Sequence, residues 1–135
     1  MRDDYFTPVT ITKAIAAALP VRYGYTTLVY RLSTPVSSAW IARFEAACQA
    51  SAGNWRYDRP LALADRIQVM LPDSDHADHA ALAAIKEYLE TVLKVANQRY
   101  SNLPPEVLAS GAREIAWEQR VLTALQTTLD EQFPS

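Results

Sequence analysis

The sequence predicts an α+β domain: a small antiparallel sheet with helices on one face, continued into two long amphipathic helices. Three observations carry this. Runs of alternating apolar and polar residues recur between residues 26 and 71. After Pro72 the apolar spacing changes to three and four and holds to the end of the chain. Pro104-Pro105 divides that second region, because two successive prolines cannot continue a helix.

With 135 residues, one core is the default, and a chain that is 50% apolar and 21% charged has the composition of a folded domain rather than a disordered one. Residues 1–25 form an N-terminal segment that admits two readings. Thr10 or Thr12 caps a short helix over residues 13–19 that Pro20 ends, or Val9 and Ile11 begin a strand. Thr26-Thr27-Leu28-Val29-Tyr30-Arg31-Leu32 reads as a strand with Leu28, Tyr30 and Leu32 on one face.

Ser37 or Ser38 then caps a helix over residues 38–50, whose apolar residues Trp40, Ile41, Phe44, Ala47 and Cys48 fall at spacings of three and four. Asn54-Trp55-Arg56-Tyr57-Asp58 alternates as a half-buried strand does, and Leu61 to Asp65 reads as a turn. Residues 66–71 give a third strand, with Ile67, Val69 and Leu71 on one face. These strands predict a three-stranded antiparallel sheet of β-α-β-β-α order, an incomplete ferredoxin-like arrangement, within a single domain spanning residues 1–135.

The acids of Pro72-Asp73-Ser74-Asp75 start a long helix running from about residue 75 to Tyr100, with Leu82, Ile85, Leu89, Val92 and Ala96 as its seam. The final helix covers about residues 105–132 and carries Leu108, Ala112, Ile115, Leu122, Leu125 and Leu129. Together they read as a helical hairpin over residues 75–132.

The chemistry expected of this chain is sparse. Its three glycines, Gly24, Gly53 and Gly111, are isolated, so no phosphate-cradling loop exists, and no nucleophile-elbow sequence is present. Cys48 is the only cysteine, on the apolar side of its helix, where a thiol behaves as a small hydrophobe. His76 and His79 share a helix face with Asp75 beside them. That trio is a weak candidate metal site, and its spacing matches no zinc signature. No catalytic residue and no cofactor are expected.

The charge is uneven: residues 1–70 hold eight Lys/Arg against five Asp/Glu, and residues 71–135 five against ten. Arg22, Arg31, Arg56 and Arg59 with Trp55 therefore form a candidate single-strand nucleic-acid platform, arginines for phosphates and an indole for bases. Against it, alternation turns Trp55 toward the core.

The clearest signal is surplus apolar surface on the last two helices. Tyr88, Leu93 and Val95 lie off the first seam, and Trp117, Val121 and Phe133 off the second. One account buries them all within the monomer, between sheet and hairpin. The other makes Tyr88, Leu93, Val95, Trp117, Val121, Leu122, Leu125 and Leu129 a protein interface. The leading expectation is a non-enzymatic interaction protein of adaptor, inhibitor or immunity type, homodimeric through these helices. Nucleic-acid binding is the alternative and a small enzyme or metal-binding protein the third reading. The polar start of the chain and the absence of long apolar runs predict a cytoplasmic protein with no membrane partner.

Overall fold

The computed structural model describes residues 7–17, 24–75 and 78–134. It is an α+β fold with one four-stranded antiparallel sheet and three helices, the last of them long. The strands are β1 (Ile11–Ala16), β2 (Tyr25–Leu32), β3 (Leu61–Leu63) and β4 (Arg66–Pro72), in the order β1-β2-β4-β3. The helices are α1 (Ser38–Ala50), α2 (His79–Ser101) and α3 (Pro105–Gln132).

The three-stranded expectation is corrected in two places. The predicted arrangement, two parallel strands with an antiparallel one between them, is made by β2, β4 and β3, but a fourth strand lies outside it. This is β1, in the stretch where the sequence also admits a helix over residues 13–19, of which 18 and 19 lie outside the described residues. Its Ile15 and Ala16 pair with Val29 and Leu28, and a bulge between Ile11 and Lys13 adjusts the register. Helix propensity in Lys13-Ala14 yields because β2 offers a ladder and an isolated seven-residue helix offers little.

The second correction moves the middle strand from residues 54–58 to Leu61–Leu63. Residues 52–54 form a 3₁₀ turn, and Trp55 Nε1 donates to the Asp58 carbonyl at 2.8 Å, closing the segment on itself. Leu61 and Leu63 pair instead with Gln68 and Arg66 across a two-residue turn, Ala64-Asp65, in which Ala64 adopts φ +41°.

One sheet face builds the core. Tyr30 and Leu32 of β2 and Ile67, Val69 and Leu71 of β4 are buried beneath α1 and α2. In register, Tyr30 stands opposite Ile67 and Leu28 opposite Val69, so the period-two faces meet as cross-strand pairs. Trp40 and Phe44 stack with ring centroids 5.6 Å apart, and Ile85, Leu89, Val92 and Ala96 complete the interior from α2. No described helix covers the other sheet face.

Helix α2 begins at His79, four residues later than the acids of 73–75 had indicated, because Asp78 is the residue that caps it. Its Oδ1 accepts from the Ala80 and Ala81 amides at 2.9 and 3.1 Å, while Asp73–Asp75 make a separate 3₁₀ turn. The predicted hairpin is also corrected. Leu108 and Gly111 are buried at the start of α3, whereas no described residue beyond Gly111 is. The helix is rooted in the body and then leaves it.

Candidate interaction surface

The root of α3 is a set of specific contacts with the start of α1. Ser37 caps α1 by accepting from the Trp40 amide at 3.3 Å, and its hydroxyl also meets the Tyr100 hydroxyl at 3.1 Å. Gly111 packs against that pair, where any side chain would collide with it. One turn later the Glu114 carboxylate accepts from the Ser38 amide and hydroxyl, each at 2.9 Å. A carboxylate on the first turn of α1 also faces the positive end of that helix's dipole. α3 thus supplies a cap to another helix, and this fixes its direction.

Beyond the root, the apolar side of α3 has no cover. Leu122, Leu125 and Leu129 are 56, 55 and 47% exposed, and Phe133 is 78% exposed. At 3.6 residues per turn, Leu122, Leu129 and Phe133 lie within about 40° of one another, with Leu125 about 40–80° to one side. They continue the line of Leu108, Gly111 and Ile115, so the side that seats α3 on the body runs on, bare, past its edge. Glu118 stands in the same line, while Arg113 and Arg120 lie about 160–180° round from Leu122. The bare side is therefore apolar and acidic. The chain matches no known family model, no curated protein and no solved structure.

The other residues singled out from the sequence fall into several places. Trp117 is 58% exposed about 140° round α3 from Leu122, toward the arginine side, and Val121 is half-buried between it and the stripe. Leu93 is buried in the core, and Val95 and Tyr88 pack against it. Tyr88 also stacks on Trp55 at 4.5 Å and donates from its hydroxyl to the Cys48 carbonyl at 3.3 Å. Leu93 is taken up inside the molecule, while Tyr88 and Val95 stay half-buried at the edge of the core. Phe133, the most exposed large apolar residue among those described, lies on the stripe, and its spacing of four from Leu129 is the signal for it.

The aromatic and arginine set is not assembled on one sheet face. Trp55 lies on the helix side against Tyr88, and Arg31 is exposed on β2. The register places Arg31 opposite Arg66, on the face away from the core. Arg56 donates to Asp75 Oδ2 at 2.7 Å and to the Tyr57 hydroxyl at 2.9 Å, and Tyr57 donates to the same Asp75 oxygen at 2.8 Å. Arg59 is exposed beyond them, and Arg22 lies outside the described residues. Clefts of about 290 and 320 Å³ flank Trp55. Arg56, Tyr57 and Asp75 are paired with one another and brace the loop against the 3₁₀ turn, while Gln49 and Arg59 line the second cleft.

Of the metal candidates, Asp75 is held by Arg56 and Tyr57, His79 is exposed on the first turn of α2, and His76 lies outside the described residues. Among the described residues, no three His, Cys, Asp or Glu side chains converge. No described helix is long and apolar enough to cross a membrane.

Cys48 is buried, and burial pushes its thiol from 9.0 up to about 11, against a lowering by Tyr88 beside it. At pH 8 the thiol is therefore protonated and shielded. Native protein should react with a thiol reagent at least about tenfold more slowly than urea-unfolded protein, read by absorbance, since the thiolate is the reacting form. The sign for stability follows from the same shift. The unfolded chain gives up its thiol proton first, so native stability is whole below pH 9 and falls as pH rises through 11. Cys48→Ala should flatten the onset of that alkaline loss.

Proposed function

We propose that this protein is a non-enzymatic interaction module whose working surface is the exposed stripe of α3. The observation that carries the reading is a helix fixed at its root by Gly111 and Glu114 that then exposes Leu122, Leu125, Leu129 and Phe133 to solvent. Burying such side chains stabilises a complex by about 1.5–3 kcal/mol for each one fully covered, and contiguous apolar surface of this kind marks a contact site.

The test is a double variant, Leu122→Asp with Leu129→Asp. Association with whatever partner the wild-type chain binds should be lost, while stability against urea stays within about 0.5 kcal/mol of wild type, as for ordinary surface changes. A collapse in stability would mean that the stripe belongs to the core, and the reading would fall.

A further inference from the structure

We infer that the partner of α3 is a second copy of this chain, and that α3 of each protomer lies across the helix-free sheet face of the other. This rests on the reading of α3 as a binding arm. Among the described residues the two surfaces are complementary, a helix side without a sheet and a sheet face with an open row of cations and leucines that no described helix covers.

The sheet face is read from the register. Lys13 stands opposite Arg31, Arg31 opposite Arg66, and Arg66 opposite Leu63, so three cations share one row across four strands. The next row is Ile15, Val29, Gln68 and Leu61, in which Val29 is buried and Ile15 and Gln68 are half-buried, so the open part of the face is the cation row with Leu63 and Leu61 beside it. Leu61 and Leu63 are 47 and 41% exposed. Like charges directly opposite each other destabilise a sheet. Arg66 has only a surface contact with Asp65 at 3.2 Å, and no described side chain neutralises Lys13 or Arg31. Such a row is relieved by an acidic partner.

The bare side of α3 has that chemistry. Glu118 stands on it one turn before Leu122, Asp130 lies at its border, and both arginines face away. The C-terminal end of a helix adds partial negative charge. The dimensions agree as well: residues 122–133 span about 18 Å of helix, and the seven residues of β4 span about 23 Å. α3 cannot reach its own sheet face, because it is rooted on the helix side and continues unbroken for 28 residues. In a two-fold pair the contact occurs twice. Each contact then needs to bury only about 800 Å², both sides counted, to reach the ~1,600 Å² of a stable dimer.

The experiment uses the full chain and sedimentation equilibrium at tens of micromolar, with circular dichroism to confirm folding. Wild type should be a dimer. An arm variant (Leu122→Asp with Leu129→Asp) and a face variant (Arg31→Glu with Leu63→Asp) should each dissociate at least about tenfold more readily. Mixing the two variants should restore a one-to-one pair, because the intact arm of one meets the intact face of the other. A face variant that stays dimeric while the arm variant does not would show arm pairing with arm, which overturns this inference and leaves the interaction reading standing. A monomeric wild type whose arm variant loses another protein does the same. A monomeric wild type with no partner dependent on the arm removes both. A wild-type monomer that binds single-stranded oligonucleotide, with the face variant failing to, assigns the basic row to nucleic acid and overturns the inference.

Discussion

Asn97→Ala should destabilise the protein by about 3–5 kcal/mol in urea unfolding followed by circular dichroism, a large share of the 5–15 kcal/mol typical of a domain. The Asn97 amide does the work of a neighbouring strand. Its Nδ2 donates to the Val9 carbonyl at 2.9 Å, and its Oδ1 accepts from the Val9 amide at 3.1 Å. The same oxygen accepts from Trp40 Nε1 at 3.0 Å. Val9 and Trp40 are both buried and Asn97 is half-buried, so alanine takes the partner from three polar groups at once. Hydrogen exchange at the Val9 amide should rise in parallel. Asn97→Asp keeps the acceptor and loses the donor, and should fall between wild type and alanine. If alanine costs less than about 1 kcal/mol, that hub is not what joins the N-terminal segment to α1 and α2.

Gly111→Ala should also destabilise, by about 1–3 kcal/mol, as expected when atoms are forced into a filled space. The sign is informative, because the same change in an exposed helix interior stabilises by about 1 kcal/mol. Here a Cβ would run into the Tyr100 hydroxyl and come within 3.0 Å of Ser37 Oγ. Relief requires breaking the Ser37–Tyr100 hydrogen bond, which also holds the capping hydroxyl of α1 in place. A pair of probes on α1 and on the far end of α3 should report a changed distance. A stabilised, undisplaced Gly111→Ala protein would mean that α3 sits less closely on the body than the structure shows.

Much of the fold was legible in the sequence, and the exceptions share a cause. Strand β2, helix α1, strand β4 and helix α3 were readable because each carries a clean period and clear end signals, such as Ser37 for α1 and Pro105 for α3. Strand β1 was ambiguous because Lys13-Ala14-Ile15-Ala16 has no alternation strong enough to outweigh its alanines; its pairing with β2 is a long-range effect. Strand β3 was hidden because its turn, Ala64-Asp65, lacks the glycine or asparagine that marks a two-residue hairpin, and Ala64 takes a positive φ instead. Trp55-Arg56-Tyr57 imitated a strand because two aromatics two apart also suit a loop folded against Tyr88.

At the candidate site, the pattern showed that α2 and α3 held more apolar surface than one seam needs. It did not show how that surface is divided. Leu93 is absorbed by the core and Val95 packs against it, whereas Leu122, Leu125 and Leu129 do neither, and nothing local distinguishes the two groups. The division follows from where α3 departs, set by a glycine and a glutamate that the spacing of leucines leaves unmarked. The opposed cations Lys13, Arg31 and Arg66 were equally invisible, since they come from three strands far apart in the chain.

The carboxylate that α3 lends to α1 makes the arm's base and the body's first helix mutually dependent, while residues past Ile115 add nothing to the interior. The molecule therefore divides into a foundation that tolerates little change and an outrigger whose wording is free of any duty to hold the fold together. New contacts can be written along those last four or five turns at almost no risk to the rest.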